Sequence, residues 1–136
     1  MNKMQKKIFI AATLLGLLGV VLGAFAAHGL RTVLSDSALE SFQTGVRYQI
    51  YHAFFLFIIG LNSHLSATQK KYIFSLTLAG ILLFSVSIYL LATNALTSID
   101  FAFLGPVTPI GGLLLIFAWG FLLFVLIRYK IQNIEE

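Results

Sequence analysis

Residues 8–27 read IFIAATLLGLLGVVLGAFAA, twenty positions without a charged side chain. A membrane-spanning helix needs about 20 apolar residues, so this stretch is long enough to cross a bilayer. Within it Ala12, Gly16, Gly19, Gly23 and Ala27 form a stripe of small residues. At about 100° per residue they share one helical face. Gly19 and Gly23 make a GxxxG pair, the spacing that lets helix backbones approach closely in lipid. The stripe therefore places this helix against other spans.

The rest of the chain has the same character. It is 59% hydrophobic and 10% charged, where a soluble domain carries about 25% charged residues. So short a soluble fold leaves much of its surface exposed and has no way to hide this much apolar area; lipid can cover it. The net charge of +4 comes from Lys and Arg scattered near the ends of apolar runs. A nucleic-acid partner would need a clustered basic face, so none is expected. The chain has no cysteine, which excludes disulfides, thiolate metal sites and cysteine nucleophiles. Lys3, Lys6 and Lys7, followed by an apolar run and Ala24-Phe25-Ala26, are arranged like a secretory signal. The run is longer than the 7–15-residue core of such signals, and it is read as a retained span.

With three further apolar runs, the expected spans are at about residues 8–28, 46–65, 72–93 and 109–128 of a single membrane domain, residues 1–136. They do not alternate as barrel strands do. Backbone groups in hydrocarbon must be satisfied within their own segment, so the runs are helices. The expected fold is all-α: a four-helix transmembrane bundle with a short amphipathic interfacial helix, about residues 37–45, between spans 1 and 2. Ser37-Ala38-Leu39-Glu40 fits a capping box, and Leu39, Phe42 and Val46 recur at helical spacing. No proline separates this segment from the second span, so one bent helix is the alternative. Thr108 reads as the N-cap of the fourth helix and Pro109 as its first residue. With the N-terminus inside, Lys3, Lys6, Lys7, Lys70, Lys71, Arg128 and Lys130 lie on the inner side and only Arg31 and Arg47 outside. That bias predicts that both termini are cytoplasmic.

Three ordered motifs carry a family resemblance: Gly23-Ala24-Phe25-Ala26-Ala27-His28-Gly29-Leu30, then Phe42-x-Thr44-Gly45-Val46-x-Tyr48-Gln49-x-Tyr51-His52-Ala53, then Gly105-Pro106-x-Thr108-Pro109-Ile110-Gly111-Gly112. Together they resemble the small membrane family called domain of unknown function 423. The family's first motif usually has Gly where this chain has Ala26. The resemblance implies a multi-pass protein of the bacterial inner membrane, with relatives in mitochondria, and it brings no established activity.

Polar groups within spans are costly and usually face a cavity or a partner. Here they gather toward the outer ends of the helices: His28, Arg47, Tyr48, Gln49, His52, Asn94 and Thr108. They are the candidate ligand-binding residues of a small polar pocket near the outer leaflet. Such a pocket would hold a small ligand or a lipid headgroup, or support a membrane assembly. The plainer reading makes the same groups hydrogen-bonding glue between helices. Arg47 in particular reads as an interfacial anchor, His64 as an inner interface residue, and Trp119, near mid-depth, as packing. Gly16, Gly19, Gly23, Gly111 and Gly112 are candidate packing positions, within the subunit or between subunits.

No cofactor or metal is expected. Haem or metal ligation by His28 and His52 is the weaker alternative, lacking an obvious third donor. Asp36, Glu40 and Asp100 fall in loops, and no H-E-x-x-H, G-x-S-x-G, phosphate-loop or dinucleotide fingerprint occurs. A non-enzymatic role is therefore read first. A small oligomeric transporter or channel is the alternative, and a His-dependent enzyme ranks behind it. The expected partners are the lipid bilayer, and further copies or other membrane proteins.

Overall fold

Three of the long helices begin where a side chain closes the first turn. In the computed structural model, which describes residues 1–132, Asn2 caps α1 (Lys3–His28) through a reciprocal box with Gln5. Ser35 caps α2 (Asp36–Leu61), accepting from Ala38 N–H, with Asp36 placed favourably in the first turn. Ser66 and Gln69 form a second reciprocal box at the start of α3 (Ala67–Ile81). A π-helical turn, Leu82–Val86, joins α3 to α4 (Ser87–Ala92), so the two continue as one rod. Short 3₁₀ turns at Asn94–Leu96 and Ala102–Leu104 lead into α5 (Val107–Gln132). Residues 133–136 of the expected domain lie outside the described residues.

Three of these four rods, Lys3–Thr32, Ala67–Ala92 and Ala102–Tyr129, are long and apolar enough to cross a membrane. By composition α2 does not reach that mark, because Arg47, Gln49 and His52 interrupt it. It nevertheless runs antiparallel along α1. Gly60 meets Phe9 near one end, Gly16 meets Ala53, Gly19 meets Ile50, and Gly23 meets Val46 toward the other. Gln49 and His52 are borne because neighbouring helices, not lipid, cover them, while Arg47 stays exposed.

Two local expectations are corrected. The segment 37–45 is not a separate interfacial helix but the opening turns of α2. Its cap is Ser35, not Ser37, because Ser35 has the extended backbone and the hydroxyl aimed at Ala38 N–H. Thr108 does not cap the fourth helix, which already begins at Val107; its hydroxyl is held by Ser87 instead.

The helices pack in a chain, α1 on α2, α2 on the α3–α4 rod, and that rod on α5. The closest crossings use glycine. A Cβ on Gly111 would overlap the backbone of Leu83 and Phe84 in the π turn, and one on Gly80 would overlap Leu115. The larger core gathers Ile8, Leu56, Ile59, Ile73, Ile81 and Leu115. A smaller core, nearer the α1–α2 turn, holds Ala26, Leu30, Phe42, Val46 and Ala92. At the end where α1 starts, Gly60 O, a terminal carbonyl of α2, accepts from buried Lys70 Nζ at 3.0 Å and from Gln5 Nε2 at 3.2 Å. That tie joins three helices and satisfies an orphan carbonyl.

Thr77 is fully buried, and its hydroxyl has no partner among the described residues. Removing an unsatisfied buried hydroxyl should stabilise. Thr77→Val is expected to gain about 1 kcal/mol in detergent unfolding, and a loss of stability would mean that the hydroxyl is bonded after all.

Candidate functional site

A layer of hydrogen bonds separates the two apolar cores. Gln49, 4% exposed, donates from Nε2 to Leu15 O of α1 at 2.8 Å and accepts at Oε1 from the Tyr89 hydroxyl of α4 at 2.8 Å. Ser85 in the π turn donates to Gly45 O of α2 at 2.8 Å. Ser87 donates back to the turn carbonyls and lies 2.6 Å from the Thr108 hydroxyl of α5. Trp119 Nε1 of α5 donates to His52 Nε2 of α2 at 3.2 Å. All four rods are thereby stitched to one another, and the alternative for each group is an unsatisfied position in hydrocarbon.

The His52 ring can be assigned from its partners. An indole nitrogen only donates, so His52 Nε2 accepts. Nδ1 then carries the hydrogen and donates to Tyr48 O, 2.8 Å away. His52 is a neutral imidazole with both nitrogens engaged. His28 is exposed at the C-terminal end of α1 and bonds through Nδ1 to Ala24 O at 3.0 Å. From the pairing of Gly16 with Ala53 and Gly19 with Ile50, His52 lies about 16 Å deeper than His28 at 1.5 Å per residue. The two imidazoles do not face each other, so the alternative of a shared haem or metal finds no paired ligands here.

The expected polar pocket is not assembled as one chamber. Arg47 is exposed and donates to Thr44 Oγ1 at 2.8 Å. Asn94 belongs to the loop before α5, where its Oδ1 accepts from Phe101 N–H and its amide donates to Asp100 Oδ1. The N–H of Ala102 and the Asn94 amide hold the Asp100 carboxyl below the ordinary carboxylate range. Gln49 and Thr108 are committed to partner helices. Of the seven candidate residues, Tyr48 and His52 share a cavity.

That cavity is a lateral groove of about 670 Å³ between α2 and α5. Tyr48 and His52 line it from α2, Phe84 from the π turn, and Gly112, Trp119 and Gly120 from α5. The Tyr48 and Phe84 rings are 4.9 Å apart and close one end. Trp119 packs 4.2 Å from Phe55, yet its side chain stays 52% exposed. Among the described residues, nothing lies within 4 Å of a Cβ built on Gly120. Trp119, Gly120 and Phe84 were not among the candidate residues. The usable signal was a tryptophan at mid-depth, where interfacial anchoring does not explain it. A second cavity of about 330 Å³, lined by Ser37, Ser41 and Thr108 with apolar α4 residues, opens nearer the start of α2. The glycine stripe of α1 packs within the subunit, with Gly16, Gly19 and Gly23 against α2.

A family model described as a protein of unknown function, DUF423, matches residues 22–112. The UPF0382 membrane protein YwdK of Bacillus subtilis is 36% identical over 130 residues, covering 92% of this chain and 99% of the relative. The UPF0382 membrane protein SH2409 of Staphylococcus haemolyticus is 40% identical over 115 residues, covering 85% and 90%. A UPF0382 membrane protein of Haemophilus influenzae is 38% identical over 116 residues, covering 85% and 90%. No solved structure matches the chain. The chain belongs to this family of bacterial membrane proteins.

Proposed function

We propose that this member of the DUF423 family is a non-enzymatic, four-span protein that takes a lipid-like small molecule sideways from the bilayer into the groove between α2 and α5. The carrying observation is the groove itself. Its volume of about 670 Å³ falls in the roughly 300–1,000 Å³ range of small-molecule sites, and it opens laterally where a membrane protein meets acyl chains. The indole N–H of Trp119 is already held by His52, so the ring offers the groove an apolar face. The second cavity supplies a polar end. Ser41 and Tyr48 lie seven residues apart on α2, and Thr108 and Gly112 four apart on α5, so both cavities lie along one seam. From Thr108 to Trp119 is about 16 Å along the helix, close to half of a roughly 30 Å hydrocarbon core. An amphiphile of one leaflet fits that length, with its head by Ser37 and Ser41 and its chain against Trp119.

Gly120→Leu tests this. The added side chain enters open space, and leaving glycine favours the helix by about 1 kcal/mol, so the variant should fold at least as well. Native mass spectrometry should find about one retained lipid per wild-type chain and a severalfold loss in the variant. Equal retention would sink the proposal. A second reading seats a helix of another copy in the groove, favoured by the small residues Gly112 and Gly120 on that face. In that case Gly120→Leu should break a dimer and leave lipid retention unchanged.

The positive charges favour cytoplasmic termini in this reading, because Lys3, Lys6, Lys7, Lys70, Lys71 and Arg128 lie on the helix ends near the termini. A reporter fused after Glu136 is expected to be active inside the cell, and activity outside would invert the bundle.

A further inference from the structure

At the end of the molecule that carries the termini, a cavity of about 180 Å³ lies among the turn after α2, the first turn of α3 and the last turns of α5. We propose that it binds a phosphate group, carried on a lipid headgroup or free. The proposal is independent of the groove between α2 and α5.

Among the described residues, the polar lining is His64, Gln69, Arg128 and Tyr129, with no carboxylate. The Arg128 guanidinium lies over the Phe124 ring, 4.9 Å from its centroid. Stacking holds the flat face and leaves the N–H edge to act, and that edge matches phosphate oxygens two at a time. The Tyr129 hydroxyl is 3.0 Å from His64 Nδ1. If the phenol donates, the neutral ring carries its hydrogen on Nε2; if the ring donates, the phenol hydrogen is released. Either arrangement keeps one donor unused by the pair. Gln69 accepts at Oε1 from Ser66 N–H at 2.8 Å, which turns its amide nitrogen, with two further hydrogens, away from the cap. Three chain segments therefore bring donors together around one space. At about 30 Å³ per water, the cavity holds on the order of six waters. That is room for one phosphate and too little for a nucleotide or an acyl chain.

The neighbouring lysines divide between structure and surface. Lys70 is buried and tied to Gly60 O, whereas Lys71 is exposed and does not line the cavity. Lys71 therefore serves as a control for general surface charge.

The decisive variant is Gln69→Glu. Glutamate serves in a capping box as glutamine does, so α3 keeps its start while the cavity gains a negative charge. The experiment uses detergent-purified full-length protein and two probes. Inorganic phosphate is compared with chloride at equal ionic strength by thermal unfolding. Phosphatidic acid is compared with diacylglycerol, which lacks the phosphate, by native mass spectrometry. Wild type is expected to respond to at least one phosphate-bearing probe and not to its control. Affinity should fall at least tenfold in Gln69→Glu and in Arg128→Gln, and hold in Lys71→Gln. A response to phosphatidic acid alone assigns the site to a headgroup, and a response to inorganic phosphate assigns it to the free ion. No response to either probe, unchanged binding in Gln69→Glu, or an equal loss in Lys71→Gln overturns the proposal.

Discussion

Gly111→Ala is expected to destabilise the protein by about 3 kcal/mol, the upper part of the range for overpacking a core. The reason is what the new methyl group would meet. A Cβ at Gly111 would overlap the backbone N of Phe84 and the carbonyl carbon of Leu83. Backbone cannot rotate aside as a side chain can, so α5 must move away from the π turn. That movement would also pull on the Ser87–Thr108 contact, one turn earlier on α5. Three kcal/mol lowers the folded-to-unfolded ratio by about a hundredfold. Gly112→Ala is the matched control. Its Cβ would sit 3.7 Å from the Phe84 ring, an ordinary contact, and replacing glycine within a helix favours the fold by roughly 0.5–1 kcal/mol. Unfolding both variants in detergent checks the difference. Equal stabilities would mean that α5 and the π turn are not in backbone contact.

Gln49→Leu is expected to cost about 2 kcal/mol. Leucine keeps the bulk but leaves the Tyr89 hydroxyl without its acceptor and Leu15 O without its second donor. A hydrogen bond between membrane helices averages about 0.6 kcal/mol and reaches about 1.7, while a stranded buried group costs about 1–3. Two bonds and one stranded phenol place the sum near 2. The double-mutant cycle is the sharper measurement. Tyr89→Phe alone should cost about 1 kcal/mol, and adding it to Gln49→Leu should cost nothing further, because the phenol left unpaired is then gone. Fully additive losses would show that Gln49 and Tyr89 do not bond.

The two glutamine contacts also explain how far the candidate site was legible. Sequence reading identified Gln49, His52 and Thr108 as polar groups at odds with their surroundings, and the structure gives each a partner. It could not say which partner, because helical projection fixes a side chain's direction and depth, not the neighbour on that side. Gln49 and His52 are less than one turn apart, yet Gln49 bridges α1 and α4 while His52 reaches Trp119 on α5. Asn94 was grouped with them by its place at a span end, but side-chain bonding within its own loop takes it elsewhere. Trp119 was legible as an anomaly of depth. The groove beside it was not, because a groove is set by the separation of α2 and α5 and by the missing side chain of Gly120.

The order of apolar runs determined by itself that the chain is helical and belongs in lipid. Hydropathy and the need to satisfy backbone groups within each segment are properties of the segments alone. The small-residue face of α1 was likewise written in its spacing. Tertiary structure decided that this face closes on α2, that the third rod carries a π turn from Leu82 to Val86, and that segment 37–45 continues straight into α2. Those outcomes depend on which backbones come within contact distance, and one helix's sequence does not encode the position of another. The π turn shows it most plainly, since Ser85, Ser87 and the bare Gly111 acquire their roles only once α5 lies against that turn.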